Sequence, residues 1–332
     1  MVRMALLGAG RIGVMHAANI NANPDATLHS VFDDHAPFAQ ACADKFGAKH
    51  APSLEAVLAD DQVDAVLIAS ATNTHVDYLQ AACEAGKAVL CEKPVDLDIN
   101  RVEACWAAIK DKNPIVQLGF NRRFDPSFKA LHDAVQAGEI GELRQLIITS
   151  RDPEVPPESY MAVSGGLLRD MTIHDFDLAR FYLGEEPVRI SCMAGALISP
   201  VVKAMGELDS AMIIMETASG KQCCINNYRE AVYGYDQRIE AMGEKGMLKA
   251  ENRRATSLER WTNSGTAQAD PILYFFIERY REAYNAELDA FIQAVKAGAP
   301  VPVGFEDGRR ALILANAAYE SLASGRIVDI PQ

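Results

Sequence analysis

In the stretch LLRDMTIHDFD, Asp170 and His174 set an acid and an imidazole four residues apart among residues suited to a core. An imidazole with a reference pKa near ~6.5 offers a neutral base at working pH, and a carboxylate beside it favours the imidazolium that forms. Asp170 and His174 are therefore candidate acid–base residues. On one continuous helix of ~3.6 residues per turn, positions i and i+4 lie one above the other, so Asp170 could orient the ring or contact the same ligand. At about 100° per residue, Leu167, Asp170, Met171, His174, Leu178 and Phe181 share one arc of about 100°, and the pair is expected to face inward. Buried polar groups are costly without partners, so partners or a ligand are expected as well. Two other readings compete. A helix-surface ion pair is worth only about 0.3–0.5 kcal/mol, and its residues would not share a stripe with four large apolar side chains. A metal could use His174, Asp175 and Asp177, but Asp175 lies off the arc and no second His/Cys cluster accompanies it. No metal is expected.

The elements that must position such a pair begin at the N-terminus. Gly8-Ala9-Gly10-Arg11-Ile12-Gly13 is a GxGxxG turn between an apolar run and a helical stretch. Gly8 permits the tight turn, Gly10 lets backbone approach a pyrophosphate, and the amides at Arg11, Ile12 and Gly13 open a helix whose dipole favours anions. Asp33 ends the second apolar run, 20 residues after Gly13, where a carboxylate accepts hydrogen bonds from an adenosine ribose. With Asp34 beside it and no Lys or Arg adjacent, a 2′-phosphate is disfavoured, so NAD is expected over NADP. In the loop after the third run, Ser70, Thr72 and Asn73 supply small polar groups at a strand's carboxyl end; His75 reads equally as a contact or as a helix-start residue. The fourth run ends Cys91-Glu92-Lys93-Pro94, which would aim Lys93 into the cofactor crevice with Glu92 as its charge partner. A surface lysine before a proline turn is the plainer reading of the same residue.

The runs VRMALLG, ATLHSVF, VDAVLIAS, KAVLCE and PIVQLGF alternate with amphipathic stretches, the pattern of βαβ units. Each is nearly continuous in apolar residues, as strands of a parallel sheet buried on both faces are, so a doubly wound sheet is predicted over residues 1–120. Strand-like runs from VRISCMAG to YDQRIEAMG follow one another without helices, which predicts a mostly antiparallel sheet within 121–332; helical spacing returns in the tail. The chain has 332 residues, 49% hydrophobic and 23% charged, with a net charge of −13 and no clustered Lys/Arg for nucleic acid or anionic lipid. Seven cysteines without a CxxC pair read as reduced thiols in a cytoplasm, and the N-terminal apolar run is too short for a signal core or a membrane span. The substrate-side candidates are softer. Asn121 and Arg122 follow GF, Asp152 ends a strand, and Tyr233 and Tyr235 would share a strand face. Equally, Arg122, Arg123 and Asp125 could form a helix-capping salt network and the tyrosines could be core.

GAGRIG, ATNTH and CEKPVDLD, in that order, resemble the glucose-fructose oxidoreductase-type (Gfo/Idh/MocA) dehydrogenases, in which a Rossmann domain precedes an α+β domain with an open sheet. GFNRRFDPSF, TSRDPEVPPESYMAVSGGLLRDMTIHDFDLARF, REAVYGYDQRIEAMG and YFFIERYREAY are similar to stretches of the inositol 2-dehydrogenases of that family. The resemblance implies residues 1–120 as a dinucleotide-binding domain and 121–332 as a substrate-binding and oligomerisation domain. It implies Lys93, Asp170 and His174 as a catalytic set; the substrate-side candidates Asn121, Arg122, Asp152 and Tyr235 rest on their positions in the chain, since related enzymes differ in the residues after GF. The reaction implied is oxidation of a myo-inositol ring hydroxyl to 2-keto-myo-inositol, with NAD taking the hydride, in a homotetramer. Such a reaction needs a base for the hydroxyl proton, the part expected of His174, and a donor for the developing alkoxide, the part expected of Lys93. A dehydrogenase of another inositol isomer or sugar is the nearest alternative. A non-catalytic NAD(H)-binding redox regulator is the alternative from another class, and the intact triad counts against it.

Overall fold

The apolar runs of the N-terminal third form β1 (Val2–Leu7), β2 (Ala26–Phe32), β4 (Ala65–Ile68), β5 (Ala88–Cys91) and β6 (Val116–Leu118) in a computed structural model that describes residues 1–331. With the two-residue β3 (Lys49–His50), too short to leave a sequence pattern, they make a parallel sheet in the order β3-β2-β1-β4-β5-β6. Every residue of β4 and β5 is buried, which is why their sequences do not alternate. The connections are α1 (Arg11–Ala22), α2 (Ala36–Phe46), α3 (Leu54–Ala59), α4 (His75–Glu84) and α5 (Ile99–Ile109). This is the doubly wound Rossmann arrangement, in which ligands bind at the carboxyl ends of the strands where the order reverses, here between β1 and β4.

Beyond residue 121 come α6 (Pro126–Gln136), β7 (Leu143–Asp152), α7 (Glu158–Ser164), α8 (Gly166–Asp170) and α9 (Thr172–Leu183). Then follow β8 (Pro187–Gly195), α10 (Pro200–Ala204), β9 (Ser210–Thr217), β10 (Gln222–Arg229), β11 (Asp236–Gly243) and β12 (Met247–Ala250). A hairpin of β13 (Glu259–Thr262) and β14 (Gly265–Ala269), the helices α11 (Phe276–Arg279), α12 (Arg281–Ala297) and α13 (Phe305–Ser324), and β15 (Val328–Asp329) complete the chain. The large sheet has the order β12-β11-β7-β10-β9-β8-β15 and is antiparallel except for β7 beside β10. Its strands alternate: Leu146, Ile148, Ile213, Met215, Cys223 and Ile225 are buried, with α9 packed on β7 and β10, while the opposite face is open.

By compactness the chain divides into Met1–Asn121 with Tyr284–Leu312, and Arg122–Ala283 with 313–331. The division is thus not a single cut after residue 120. Leu288, Phe291 and Ile292 of α12 join Met4, Leu6, Leu67 and Leu90 in the first unit's core, so a segment distant in sequence completes the Rossmann layer. Among the described residues no helix is long and apolar enough to cross a membrane, and the seven cysteines form no disulfide.

Two expectations change. The continuous helix through Asp170 and His174 is broken at Met171 (φ −95, ψ −57), which ends α8 and precedes α9. There the Thr172 hydroxyl faces the Leu167 carbonyl (3.3 Å) and the Asn227 side chain (2.7 Å), a side-chain alternative to the helical ladder. Nor do Tyr233 and Tyr235 share a strand face. They precede β11 in a turn at Gly234 (φ +127), which leaves Tyr233 exposed and Tyr235 buried.

Candidate active site

In the first unit the glycine turn connects β1 to α1. Gly8 has φ +98 and lies so close to β4 that a Cβ would stand 2.4 Å from the Ser70 amide nitrogen; one at Gly13 would stand 2.0 Å from the Gly8 carbonyl oxygen. Both positions exclude a side chain and let strand, turn and helix close together. At Gly10 a Cβ would meet nothing within 4 Å, and Gly10 caps α1 without a side-chain hydrogen bond. The N-terminus of α1, with Arg11, Ile12 and Gly13 in its first turn, thus opens onto clear space, as a pyrophosphate requires. Asp33 stands just past β2 with Oδ2 accepting from the Ala9 amide (2.7 Å) and Oδ1 from the His35 amide (2.8 Å). Two backbone amides fix its carboxylate against the turn. Asp34 accepts from the Tyr78 hydroxyl (3.2 Å), and burial together with Asp34 pushes that phenol up to about 12. The residues present therefore fit a dinucleotide whose ribose carries free hydroxyls.

Around β4 and β5 the expected contacts separate. Ser70 is joined to Thr74 (Oγ to Oγ1, 2.7 Å) at a single turn of 3₁₀ helix over Thr72–Thr74; Thr72 is half-buried and Asn73 exposed. His75 is turned inward, 2% exposed, with Nδ1 at 2.7 Å from the Pro94 carbonyl and Nε2 at 3.2 Å from that of Ser70. Burial holds its imidazole below the usual value, and the ring clasps the two loops together. Lys93, half-buried, follows Glu92 directly after β5. Glu92 Oε1 lies 2.8 Å from Nε2 of the buried His16 on α1. Against the upward push of burial, that hydrogen bond and the charge of Lys93 hold the Glu92 carboxyl below its usual range. Glu287 on α12 is fully buried, and burial together with Glu92 pushes its carboxyl well above the usual range. Sequence reasoning missed His16 and Glu287: nothing local in the chain links positions so far from residue 92.

In the second unit, Asp152 at the end of β7 and Arg229 at the end of β10 are register partners. Arg229 Nη2 lies 2.6 Å from Asp170 Oδ2, and its Nε lies 3.6 Å from Asp152 Oδ2. Tyr160 of α7 donates to Asp170 Oδ1 at 2.7 Å. Burial pushes the Asp152 carboxyl up to about 6, against the pull of Arg229 and Arg122. His174 lies in the first turn of α9 and is half-buried. That helix is not amphipathic: Ile173, Asp175, Phe176, Asp177 and Leu178 are all buried, so Asp175 and Asp177, off the expected arc, are more enclosed than His174. Arg122, 3% exposed, binds Asp175 (2.6 Å) and Ser150 (3.1 Å), approaches the Tyr235 hydroxyl (3.4 Å), and stacks on Tyr280. Arg123 binds Asp177 at 2.8 Å, and Asp125 caps α6 and pairs with Arg279. Asn121 is 1% exposed. Asn121, Arg122 and Tyr235 thus lie inside the protein; Arg122, Arg123 and Asp125 each form an ion pair with a separate partner, Asp175, Asp177 and Arg279, and Asp125 caps α6. Asp152 and Asp170 are brought together. Arg229, which lies between them, and Tyr160, which donates to Asp170, carried no sequence signal. Among the described residues no group of three or more His, Cys, Asp or Glu side chains converges as a metal site would need.

A Rossmann unit with a dinucleotide cradle and a second unit carrying clustered polar side chains define an NAD-binding oxidoreductase. Residues 2–120 match the model of the oxidoreductase family with NAD-binding Rossmann fold, and residues 128–249 match the GFO/IDH/MocA C-terminal domain. The chain belongs to this GFO/IDH/MocA family. It is 47% identical over 329 residues to the inositol 2-dehydrogenase of Rhizobium meliloti (strain 1021), covering 99% of both chains. The crystal structure of a myo-inositol dehydrogenase from Corynebacterium glutamicum ATCC 13032 is similar at a TM-score of 0.96 and 46% identity, with 100% of this chain and 99% of that one covered. That of scyllo-inositol dehydrogenase from Lactobacillus casei, with bound NAD(H) and scyllo-inositol, is similar at a TM-score of 0.91 and 28% identity, with 99% of each covered.

Proposed function

We propose that the protein is an NAD-dependent inositol 2-dehydrogenase that oxidises a ring secondary hydroxyl of myo-inositol to 2-keto-myo-inositol. The observation that carries this reading is the full-length likeness, at 47% identity, to an inositol 2-dehydrogenase, in a chain that retains Lys93, Asp170 and His174. Of the isomers, myo-inositol is favoured because relatives at 46 and 47% identity bear the myo-inositol or 2-dehydrogenase name, whereas two scyllo-inositol enzymes stand at 28 and 33%.

NAD, when bound, supplies the hydride acceptor; Gly8, Gly10, Arg11, Ile12, Gly13, Asp33, Ser70, Thr72, Asn73, Glu92 and Lys93 would hold it. His75 positions the loops on either side. His174, through an imidazole nitrogen, takes the proton from the reacting hydroxyl as its carbon becomes a carbonyl. Lys93 donates a hydrogen bond to that oxygen and stabilises its developing charge, a contribution commonly worth about 3 kcal/mol. Asp152 and Asp170 accept hydrogen bonds from neighbouring hydroxyls, which fits a polyol carrying a donor on every ring carbon. Arg122 and Tyr235 support this wall from behind.

The first unit serves the dinucleotide and the second the polyol and self-association, in a cytoplasmic homotetramer. Thiols without disulfides suit a reducing compartment. The open face of the large sheet, which bears Ile147, Met193, Met212 and Ile214 at 42 to 77% exposure, suits a second copy of the chain. The test is NADH formation with myo-inositol, scyllo-inositol, D-chiro-inositol and glucose, with NAD and NADP in parallel. Turnover of myo-inositol with NAD is expected. A protein that bound NAD and turned over none of the four would be the redox regulator, and a preference for NADP would overturn the part given to Asp33.

A further inference from the structure

Arg229 stands out among the buried charges of the second unit because it faces two carboxylates. The guanidinium is 2% exposed, while the side chains of Asp152 and Asp170 in front of it are 23% and 11% exposed. Solvent reaches the acids and not the base. The backbone on either side is fixed: the Arg229 amide donates to the Asp209 carbonyl (2.9 Å), and the Ala231 amide donates to the Asp152 carbonyl (2.8 Å). Asp170 has one oxygen on Arg229 (2.6 Å) and the other on the Tyr160 hydroxyl (2.7 Å), so the orientation of its carboxylate is set. The guanidinium thus donates to Asp170 and faces Asp152 through charge alone, with Nε 3.6 Å from Oδ2 and no hydrogen bond there; a lysine ammonium, a point charge on a flexible stem, would not hold both orientations.

We propose that Arg229 is a positioning residue that presents Asp152 and Asp170 as a matched pair of hydrogen-bond acceptors to two hydroxyls of the polyol. The proposal rests on the function given above. Two carboxylates that reach solvent, held by a guanidinium that does not, present acceptor oxygens suited to hydroxyl donors. The charged groups around Asp152 are Arg229, Arg122, Asp170 and Asp175; those around Arg229 are Asp170 and Asp152, with the Tyr160 phenol. With Arg229 removed, Asp152 and Asp170 repel and one of them keeps a proton to higher pH.

The test is steady-state kinetics on myo-inositol from pH 5 to 9 for full-length wild type, Arg229→Met and Arg229→Lys, with NADH affinity followed by nucleotide fluorescence. Arg229→Met is expected to raise KM by roughly tenfold to a hundredfold, more than it lowers kcat, and to move the acid limb of kcat/KM upward in pH; NADH affinity should stay within about twofold. Arg229→Lys is expected to bring the acid limb back while KM stays raised. If Arg229→Met does not fold, Arg229→Lys carries the test by itself: a raised KM with kcat, NADH affinity and Tm kept is expected, and an unchanged KM would overturn the proposal. An unchanged KM and acid limb in the methionine variant would overturn the proposal. So would equal losses of KM, NADH affinity and Tm in the methionine and lysine variants, the mark of a merely structural arginine. Failure of the wild type to oxidise any polyol would remove the function itself, an outcome separable from the others because it needs no variant.

Discussion

Asp175 and Asp177 on α9 each meet an arginine of their own, Arg122 and Arg123, whereas Asp152 and Asp170 share Arg229. The first two acids are 0% and 1% exposed, and each is hydrogen-bonded to its arginine, with Arg180 at 4.0 Å from Asp177 as well. Such pairs are closed: their hydrogen bonds are used inside the protein, and they hold α9 against β7, β10 and the segment before α6. The second set is open. Its two acids share one arginine, they reach solvent, and a tyrosine fixes one of them. Full burial therefore marks structure here, and carboxylates that a buried arginine holds toward solvent mark the candidate site.

The sharpest way to break this comparison is to remove a group from each side. His174→Ala is expected to lower kcat by roughly a hundredfold to ten-thousandfold, with NADH binding and the urea midpoint kept, because a half-buried base serves chemistry more than packing. A variant that lost stability with no selective kinetic defect would place His174 with the closed pairs. Asp175→Ala should do the reverse. It strands the buried Arg122 guanidinium, which costs about 3–5 kcal/mol in urea unfolding. Arg122 and Asp175 deleted together should cost less than the two losses added.

A smaller effect sharpens the difference through pH. Burial pushes the Asp152 carboxyl up to about 6, so between its unfolded value near ~3.9 and about 6 the folded protein holds a proton that the unfolded chain has released. This contribution makes stability fall as pH rises through that window and level off above it. Asp152→Asn removes it, and urea midpoints of the two proteins followed from pH 4 to 7 should converge at the acid end. Parallel curves would show that the carboxylate is not held back by burial.

How far these residues could be read in the chain depended on how local their partners are. The cradle was legible because GAGRIG is a contiguous motif whose glycines meet one another and the next strand ends, and Asp33 lies at a strand end that the apolar runs already marked. The parallel sheet was legible for the same reason: strands buried on both faces write continuous apolar runs. In the second unit the reasoning over-reached where it extended a local rule. The helical arc joined Asp170 to His174 across a break at Met171, and the two-residue period placed Tyr233 and Tyr235 on a strand that begins at Asp236. That Arg122 and Tyr235 are buried could not be read locally, because polar side chains near a motif carry no label for burial.

The sequence by itself determined the Rossmann order, the glycine turn, the carboxylate Asp33 at the end of β2, and the presence of Lys93, Asp170 and His174, because each depends on spacing within one or two neighbouring elements. Only the tertiary structure decided that α12 completes the first core, that His75 clasps two loops, and that Asp175 and Asp177 are structural while Asp152 and Asp170 are paired by Arg229. Those outcomes depend on which charges pack against which across segments tens to hundreds of residues apart, and a buried charge takes its meaning from its partner.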